Sequence, residues 1–376
     1  MTTTTALFEP ARVSPVDLPN RLVTAPLTRN RAAADGTPTP IMATYYAQRA
    51  SAGLIIAEAS TPNAVGQTYP NITAIHSPAH VAGWRRVTDA VRAAGGRMFL
   101  QLQHGGRVGH PATSGLVPLA PSPVPLPETI FTPGGHRPAV VPREMTTDQI
   151  RSTVADFAAA ARKARDAGFE GVEVHAANGH LLHQFLARGT NRRTDAYGGP
   201  VSGRIRFVVE VTEAVAAAIG PEQVGVRISP GSTVNGIEEG DTDAIHATLV
   251  AALGGLGLAY LHIVHADPEA ALFRRIRADW PGTLIANPVL PEISTEAVGR
   301  ESARLLAAGA DLIALGRPFL ANPDLVARLR LGAPLNQVRD RYLMYVGGAT
   351  GYTDYPALGD QPSSSSMVAL DGPRVA

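Results

Sequence analysis

Short apolar segments alternate with amphipathic helical segments along nearly the whole chain, and this alternation is the strongest constraint on the fold. We expect strands at residues 22–27, 53–60, 97–104, 171–175, 224–230, 260–265, 282–287 and 311–315. Helical patterns fill most of the intervals between these strands. Because such apolar strands are covered on both faces, they belong in a parallel sheet. Eight strand–helix units predict the α/β class, as a closed (β/α)8 barrel, that is, a TIM barrel.

The rival architecture is an open, doubly wound sheet. Its usual sequence sign, a G-x-G-x-x-G after an early strand, is absent. Residues 105–144, after the third strand, are rich in glycine and proline and predict a long lid or binding loop. A C-terminal extension follows Gly332. We expect residues 1–360 to form a single barrel domain and the Ser-rich residues 361–376 to be a disordered tail.

The composition excludes several classes of function. The net charge of +1 gives no sign of binding to nucleic acid or to a membrane surface. The chain has no cysteine, which excludes disulfides, thiolate metal sites and thiol nucleophiles. The N-terminus lacks the features of a secretory signal, and no apolar run is long enough to span a bilayer. We therefore expect a cytoplasmic protein.

His175 and Asn178 are the first candidates for chemistry. His175 ends the fourth expected strand, and Asn178 follows three residues later. If a helix starts there, this spacing places both side chains on one side. They would then be two neutral donors aimed at one acceptor, such as a carbonyl oxygen that gains negative charge. The alternative is a capped strand-to-helix turn in which both side chains bond to local backbone.

Other unusual residues also fall at the ends of expected strands, where barrel enzymes keep their chemistry. Arg227 lies in an otherwise apolar strand, and its burial is costly unless a ligand pairs with it. Gly316 and Arg317 follow the last strand, in the position where barrels often bind phosphate. The amide of Gln101 can pair with a uracil-like edge. A phosphorylated heterocycle with such an edge points to FMN. The remaining residues at these ends are Thr28, Ala59 and Asn287.

The motifs HAANG, LHQFL and NRRTDAYGG, in this order, are specific. Together with NRLVTAPLTR, FLQLQHGGR, GVRISP, ALGRPFLANPDL and GYTDYP, they resemble the Old Yellow Enzyme family of FMN-dependent ene-reductases, and most of all its bacterial branch. The resemblance runs from about residue 7 to residue 358, nearly the whole chain.

The resemblance implies a barrel with FMN bound at its mouth and a set of residue roles. The implied flavin-binding residues are Pro26, Leu27, Thr28, Ala59, Gln101, Arg227, Asn287, Gly316 and Arg317. His175 and Asn178 match the pair that binds the carbonyl oxygen of the substrate. Tyr69 and Tyr352 match aromatic residues over the flavin. The implied reaction transfers hydride from NADPH or NADH, through FMN, to the activated C=C of an enone or enal.

Three positions depart from the family pattern. His180 replaces the tyrosine that usually donates a proton, Gln103 replaces a common tryptophan beside the substrate, and Pro288 removes a backbone donor near the phosphate. Histidine titrates near neutrality, so His180 is the candidate proton donor.

The change at His180 leaves other functions open. These are a redox-neutral isomerase or specialised biosynthetic flavoenzyme on the same fold, and a flavin-binding accessory protein that has lost catalysis. A metal-dependent lyase using His175, His180 and His183 is a weaker alternative, because their spacing does not share one helical face and no carboxylate completes the set. We expect no metal, and either a monomer or a homodimer.

Overall fold

Eight parallel strands form the centre of the computed structural model, which describes residues 5–360. The strands are β1 (Leu22–Thr24), β2 (Leu54–Thr61), β3 (Met98–Leu102), β4 (Gly171–Ala176), β5 (Val224–Ile228), β6 (Tyr260–Ala266), β7 (Leu284–Pro288) and β8 (Leu312–Leu315). Each strand pairs in parallel with the next, and β8 pairs with β1. The sheet therefore closes, which confirms the TIM barrel and excludes the open sheet.

A helix follows each strand and covers the outside of the barrel. The helices are α1 (Pro40–Ala47), α2 (Pro78–Ala93), α3 (Thr147–Asp166), α4 (Val201–Ile219), α5 (Thr242–Gly254), α6 (Ala271–Asp279), α7 (Thr295–Ala307) and α8 (Leu325–Leu331). Helix α1 was not expected, because its sequence, PIMATYYA, lacks an apolar stripe. Its first residue is Pro40, which is favourable at that position since no backbone donor is lost there.

Some strand ends differ from the sequence prediction. Strand β1 stops at Thr24 rather than at residue 27, since Pro26 cannot donate to the ladder. Strand β3 stops at Leu102 rather than at residue 104, and the N–H of Gln103 donates to Ser60 O at 3.0 Å, past an irregularity in the β2–β3 register. The barrel mouth is therefore lined by loop residues more than the sequence indicated.

Regular structure outside the barrel closes its lower end and orders the long loop. An N-terminal hairpin, Ala11–Val13 with Val16–Leu18, packs its apolar residues against the inward-facing residues of the lower barrel. Residues 105–144 contain a one-turn helix, Pro111–Ser114, and a hairpin, Thr129–Thr132 with Gly135–Pro138. The loop thus has more structure than its proline content predicted.

Two buried arginines hold the C-terminal extension against the barrel. Arg29 donates to Met344 O at 2.9 Å and to Gly351 O at 2.8 Å. Arg31 donates to Leu343 O at 2.9 Å and to Val346 O at 2.7 Å.

No helix within residues 5–360 is long and apolar enough to cross a membrane. The predicted disordered tail, residues 361–376, lies outside the described residues.

Candidate active site

The turn after β4 brings His175, Asn178 and His180 to the C-terminal end of the barrel. His175 lies inside β4, and Asn178 adopts a left-handed conformation with φ of 54°. The next helix begins only at Leu181, and His180 is its N-cap. The prediction that a helix starts between His175 and Asn178 and places both side chains on one side was therefore wrong. A strand end and a left-handed turn present the two residues instead.

Hydrogen bonds assign the tautomers of the two histidines. The amide nitrogen of Gln101 lies 2.7 Å from Glu173 Oε1 and 3.1 Å from His175 Nδ1, so it donates to both. His175 Nδ1 is then an acceptor, and its proton lies on Nε2. This Nε2–H lies 3.2 Å from His180 Nδ1 and donates to it. The proton of His180 consequently lies on its own Nε2.

His180 Nε2 is buried and has no hydrogen-bond partner within the described residues. Burial lowers the pKa of His180 to about 4, and it lowers the pKa of His175 well below the ordinary value, with His180 and Arg227 adding to that effect. Both rings are therefore neutral near pH 7. Among the described residues, the ring N–H of His175 is thus already hydrogen-bonded, and the ring N–H of His180 is not.

A buried carboxylate supports this arrangement from below. Glu173 accepts from Gln101 and, at 2.8 Å, from His262 Nδ1. Burial alone would raise the pKa of Glu173, but His262, Arg227 and Gln101 together lower it, so it is an anion. Sequence reasoning gave Glu173 no role, although it lies between two valines in a strand that was expected to be buried. The signal that would have found it is the parallel barrel itself, whose strands have no solvent-facing side.

Arg227 is a buried cation with few partners. It is the register partner of His175 on β4, and only 5% of it is exposed. Its Nη2 lies 3.3 Å from Asn287 Oδ1, while its Nε is buried and has no hydrogen-bond partner among residues 5–360. Burial lowers the pKa of Arg227 despite the nearby charge of Glu173. Such an unmet donor at a barrel mouth fits an acceptor-rich or anionic ligand edge, as the ring of a flavin provides.

Residues from both sides of the β1–β8 seam meet near the expected phosphate position. The Leu27 side chain lies 3.4 Å from where a Cβ on Gly316 would be, so these two residues are in contact. Arg317 is exposed and opens the short helix Arg317–Ala321, and Thr28 is half-buried. Pro26 and Ala59 are buried. Asn287 connects the seam to Arg227, because its amide donates to Ala314 O at 2.9 Å.

The aromatic predictions need one correction. Tyr352 is fully buried and stacks on Tyr45, with ring centroids 4.2 Å apart and planes 4° apart. It belongs to the core that anchors the C-terminal extension, so a substrate contact for Tyr352 does not fit the structure. Tyr69 is half-buried, and burial, with Tyr345 nearby, raises its pKa to about 12. Tyr345, an aromatic residue of this extension that is 38% exposed, lies near Tyr69, and sequence reasoning gave it no role.

His183, the third histidine of the alternative metal set, forms its hydrogen bonds with groups other than His175 and His180. Its Nε2 lies 2.7 Å from Glu239 Oε1, and its Nδ1 accepts from Gly179 N at 3.1 Å. Within residues 5–360, no group of three or more histidine, aspartate or glutamate side chains is arranged to hold a metal ion. Gln103 is buried beside the mouth, at the end of β3.

Comparisons with known proteins identify the family. The profile of the NADH:flavin oxidoreductase / NADH oxidase family matches residues 6–336. The chain belongs to this family. A probable flavin mononucleotide-dependent alkene reductase from Leishmania infantum is 40% identical, over 93% of this chain and 97% of the relative. A chanoclavine-I aldehyde reductase from Penicillium roqueforti is 39% identical, over 93% of this chain and 96% of the relative.

Solved structures agree with this assignment. Morphinone reductase in complex with tetrahydroNAD has a TM-score of 0.88 and 43% identity, covering 95% of this chain and 99% of that one. An Old Yellow Enzyme homologue from Zymomonas mobilis has a TM-score of 0.88 and 39% identity, covering 93% and 99%. The resemblance to the Old Yellow Enzyme family is confirmed. The chain is thus a flavin oxidoreductase of this family, with FMN as its cofactor and NAD(P)H as its reductant.

Proposed function

We propose that this flavin oxidoreductase reduces the activated C=C bond of α,β-unsaturated carbonyl compounds. NAD(P)H supplies a hydride that ends on the β-carbon, and a proton ends on the α-carbon. The observation that carries the proposal is the cluster of neutral N–H donors at the end of β4, beside the buried and under-paired Arg227. Two relatives, an alkene reductase and an aldehyde reductase, support the same substrate class by their names.

The residues at the mouth fit FMN. Arg227 offers an unpaired donor to the electron-rich edge of the ring, and Leu27 and Gly316 offer an apolar floor at the seam. Arg317, exposed beside Gly316, is suited to the phosphate. The other proposed contacts are Pro26, Thr28, Ala59, Gln101 and Asn287. When bound, FMN supplies the hydride chemistry, and the protein supplies placement and electrostatics.

His175 and Asn178 are proposed to bind the carbonyl oxygen. The side chain of Asn178 is half-exposed and makes no hydrogen bond to another described residue, so its amide is free to donate. His175 donates through Nε2, and the Gln101–Glu173 pair fixes that tautomer. Neutral donors suit an oxygen that gains enolate character, because they stabilise the negative charge without protonating the oxygen outright. Tyr69, Gln103 and Tyr345 are proposed to border the substrate.

His180 is proposed to bring the proton. In the free protein it is neutral, and its Nε2–H is a poor acid as long as the ring is not protonated. A carbonyl oxygen that takes over the Nε2–H of His175 releases His180 Nδ1 from its bond. The ring can then accept a solvent proton, and negative charge on the bound substrate favours that protonation.

The low pKa of His180 also favours a second function, a redox-neutral isomerase. If proton delivery from solvent is slow, His180 Nδ1 can instead take a proton from the α-carbon and return it to the γ-carbon, which moves a double bond into conjugation without net reduction, while His175 and Asn178 hold the enolate oxygen. The two functions differ in their products. Under anaerobic conditions, a β,γ-unsaturated ketone converted to its conjugated isomer, with no NAD(P)H consumed, would identify the isomerase.

The direct experiment is reduction of the purified yellow protein with NADPH or NADH without oxygen, followed by mixing with 2-cyclohexenone. Reoxidation of the flavin together with formation of cyclohexanone is expected. Reduction of the flavin by NAD(P)H but no reoxidation by any enone or enal would favour the accessory-protein alternative.

Three further expectations belong to the proposal. The preferred nicotinamide, NADPH or NADH, is the one that reduces the flavin faster in the same experiment. A cytoplasmic location is supported by the need for NAD(P)H, which cells keep inside. A monomer or homodimer is expected, and light scattering during gel filtration distinguishes the two.

A further inference from the structure

We propose that Glu239 is a positioning residue that, acting through His183, holds Asn178 in the conformation that binds the substrate. Glu239 lies in the loop after β5, away from the mouth-lining residues named above. The inference rests on the proposed role of Asn178 and adds a residue to which sequence reasoning gave no role.

The turn that presents Asn178 needs external support. Asn178 and Gly179 are both left-handed, with φ of 54° and 74°. This conformation is unfavourable for a residue with a Cβ, although asparagine tolerates it better than most residues. A Cβ on Gly179 would lie 2.5 Å from Val234 O, so the turn is also tightly enclosed by the loop after β5.

Three hydrogen bonds supply that support, two of them from the loop after β5. Asn178 N donates to Ser229 Oγ at 2.9 Å, and Asn235 Nδ2 donates to Asn178 O at 2.8 Å. Gly179 N donates to His183 Nδ1 at 3.1 Å. Both sides of the Asn178 peptide unit are therefore held, and one of the three bonds depends on the tautomer of a histidine.

Glu239 fixes that tautomer. His183 Nε2 lies 2.7 Å from Glu239 Oε1, so the proton must be on Nε2 and Nδ1 is left free to accept from Gly179 N. Glu239 also accepts from His246 Nε2 at 2.9 Å and from Gly231 N at 3.0 Å. Burial would raise the pKa of Glu239, but its hydrogen bonds from His183 and His246 hold that pKa well below the usual range. Three donors converge on one buried carboxylate.

Glutamine at this position cannot reproduce the arrangement. In Glu239→Gln the amide nitrogen must face either the two histidines or Gly231 N, and each of these is a donor. If the amide nitrogen faces the histidines, His183 loses the acceptor that fixes its tautomer. If it faces Gly231 N, two histidine donors share a neutral oxygen, which is a weaker acceptor than a carboxylate, and the side chain is pushed away from Gly231. In both cases His183 is held less firmly and can change tautomer or rotate. The bond from Gly179 N is then lost, and Asn178 can leave the left-handed conformation.

A double-mutant cycle between Glu239→Gln and Asn178→Ala tests this in the FMN-loaded protein. We expect Glu239→Gln alone to lower kcat for 2-cyclohexenone about tenfold and to raise KM, because a small misplacement of a binding group is costly. FMN affinity should stay within about twofold of wild type, since the cofactor is held by other residues. In the Asn178→Ala background, the same substitution should change kcat/KM by less than about twofold. Equal effects in both backgrounds would overturn the proposal.

Glu58→Gln is the matched control. Glu58 is also a buried carboxylate; it accepts from Tyr46 and from Arg29 N, and none of its hydrogen bonds is to the turn that presents Asn178. Glu58→Gln should lower the free energy of unfolding, but its effect on kcat/KM should be the same with and without Asn178→Ala. Ser229→Ala removes the acceptor for Asn178 N with little change in volume. It should show the same coupling, because it removes another bond that holds the Asn178 peptide unit. If Glu239→Gln does not fold, His183→Phe, which removes the same acceptor for Gly179 N, takes its place in the cycle and in the exchange measurement.

Hydrogen exchange gives a readout that does not depend on activity. The amide of Gly179 should exchange about tenfold faster in Glu239→Gln than in wild type, while amides of β4 stay unchanged. Unchanged exchange at Gly179 would contradict the proposal even if activity fell. If Asn178→Ala alone left the reduction of 2-cyclohexenone unchanged, the proposed function itself would fail, and the exchange result would still decide whether Glu239 supports the turn.

Discussion

His175 Nε2 lies 3.2 Å from His180 Nδ1, and this bond occupies the donor that the proposed substrate carbonyl requires. The substrate must therefore displace His180 from His175 when it binds. His180 should therefore weaken the binding of the substrate while it assists the transfer of the proton.

His180→Ala should tighten the binding of carbonyl compounds and slow their reduction. Removing a competing hydrogen bond, worth about 1 kcal/mol, should lower Kd roughly fivefold. The rate of reduction should fall because the proton must come from water. Calorimetric titration with an unreactive saturated ketone and steady-state kinetics measure the two effects. His180→Asn is the control, since its Oδ1 can still accept from His175 and should keep the weaker affinity.

Acid should destabilise the protein before its carboxylates titrate. Burial lowers the pKa of His104 to about 3, so below the ordinary histidine pKa the unfolded chain takes up a proton that the folded chain does not. Stability is thus lost as pH falls from about 6.5 towards 3, and His104 alone contributes about 2 kcal/mol of this loss at pH 5. Urea unfolding at pH 7.5 and pH 5 measures the loss.

The control for this prediction is His104→Asn, whose Oδ1 can accept from Gly106 N as Nδ1 does at 3.1 Å. The loss of unfolding free energy between the two pH values should shrink by about 2 kcal/mol in this variant. An unchanged loss would show that His104 does not titrate as described.

Arg227→Gln should separate protein stability from flavin binding. The substitution relieves the cost of burying a charge but removes its attraction to Glu173 and its one weak hydrogen bond, to Asn287, so the flavin-free protein should unfold at about the wild-type temperature. FMN should bind at least about tenfold more weakly, because a charge-assisted hydrogen bond is lost. Thermal unfolding with and without added FMN measures both. A flavin-free protein that melts lower, with FMN affinity intact, would place Arg227 in the fold rather than in the cofactor site.

Tyr345 and Tyr352 should differ in their effects on activity. Tyr352→Phe removes a buried hydroxyl that has no hydrogen-bond partner in the described part of the chain, so stability should be equal or higher and KM unchanged. Tyr345→Ala should change KM for the enone, because Tyr345 is partly exposed beside Tyr69. The reverse pattern would restore Tyr352 to the substrate site.

The barrel could be predicted from the sequence because each strand is an apolar run that only a parallel sheet can bury on both faces. The residues at the strand ends followed from that topology, as the contacts Gln101–His175 and Arg227–Asn287 illustrate. What could not be predicted depends on contacts distant in sequence. The pairing of His183 with Glu239 spans 56 residues, and the stack of Tyr45 on Tyr352 spans most of the chain. The misassignment of Tyr352 has the same cause, since nothing local distinguishes a core tyrosine from one at the mouth.

The central claim is that His175 and Asn178 activate an enone by binding its carbonyl oxygen. The most direct test is anaerobic stopped-flow mixing of NADPH-reduced protein with 2-cyclohexenone, in wild type and in the double variant His175→Ala/Asn178→Ala with matched flavin content. The reduced flavin of wild type should be reoxidised by cyclohexenone and not by cyclohexene. In the double variant, the rate of reoxidation by cyclohexenone should be lower by a factor of about 10²–10³. Reoxidation of the double variant at the wild-type rate, or no reaction of wild type with the enone, would contradict the claim.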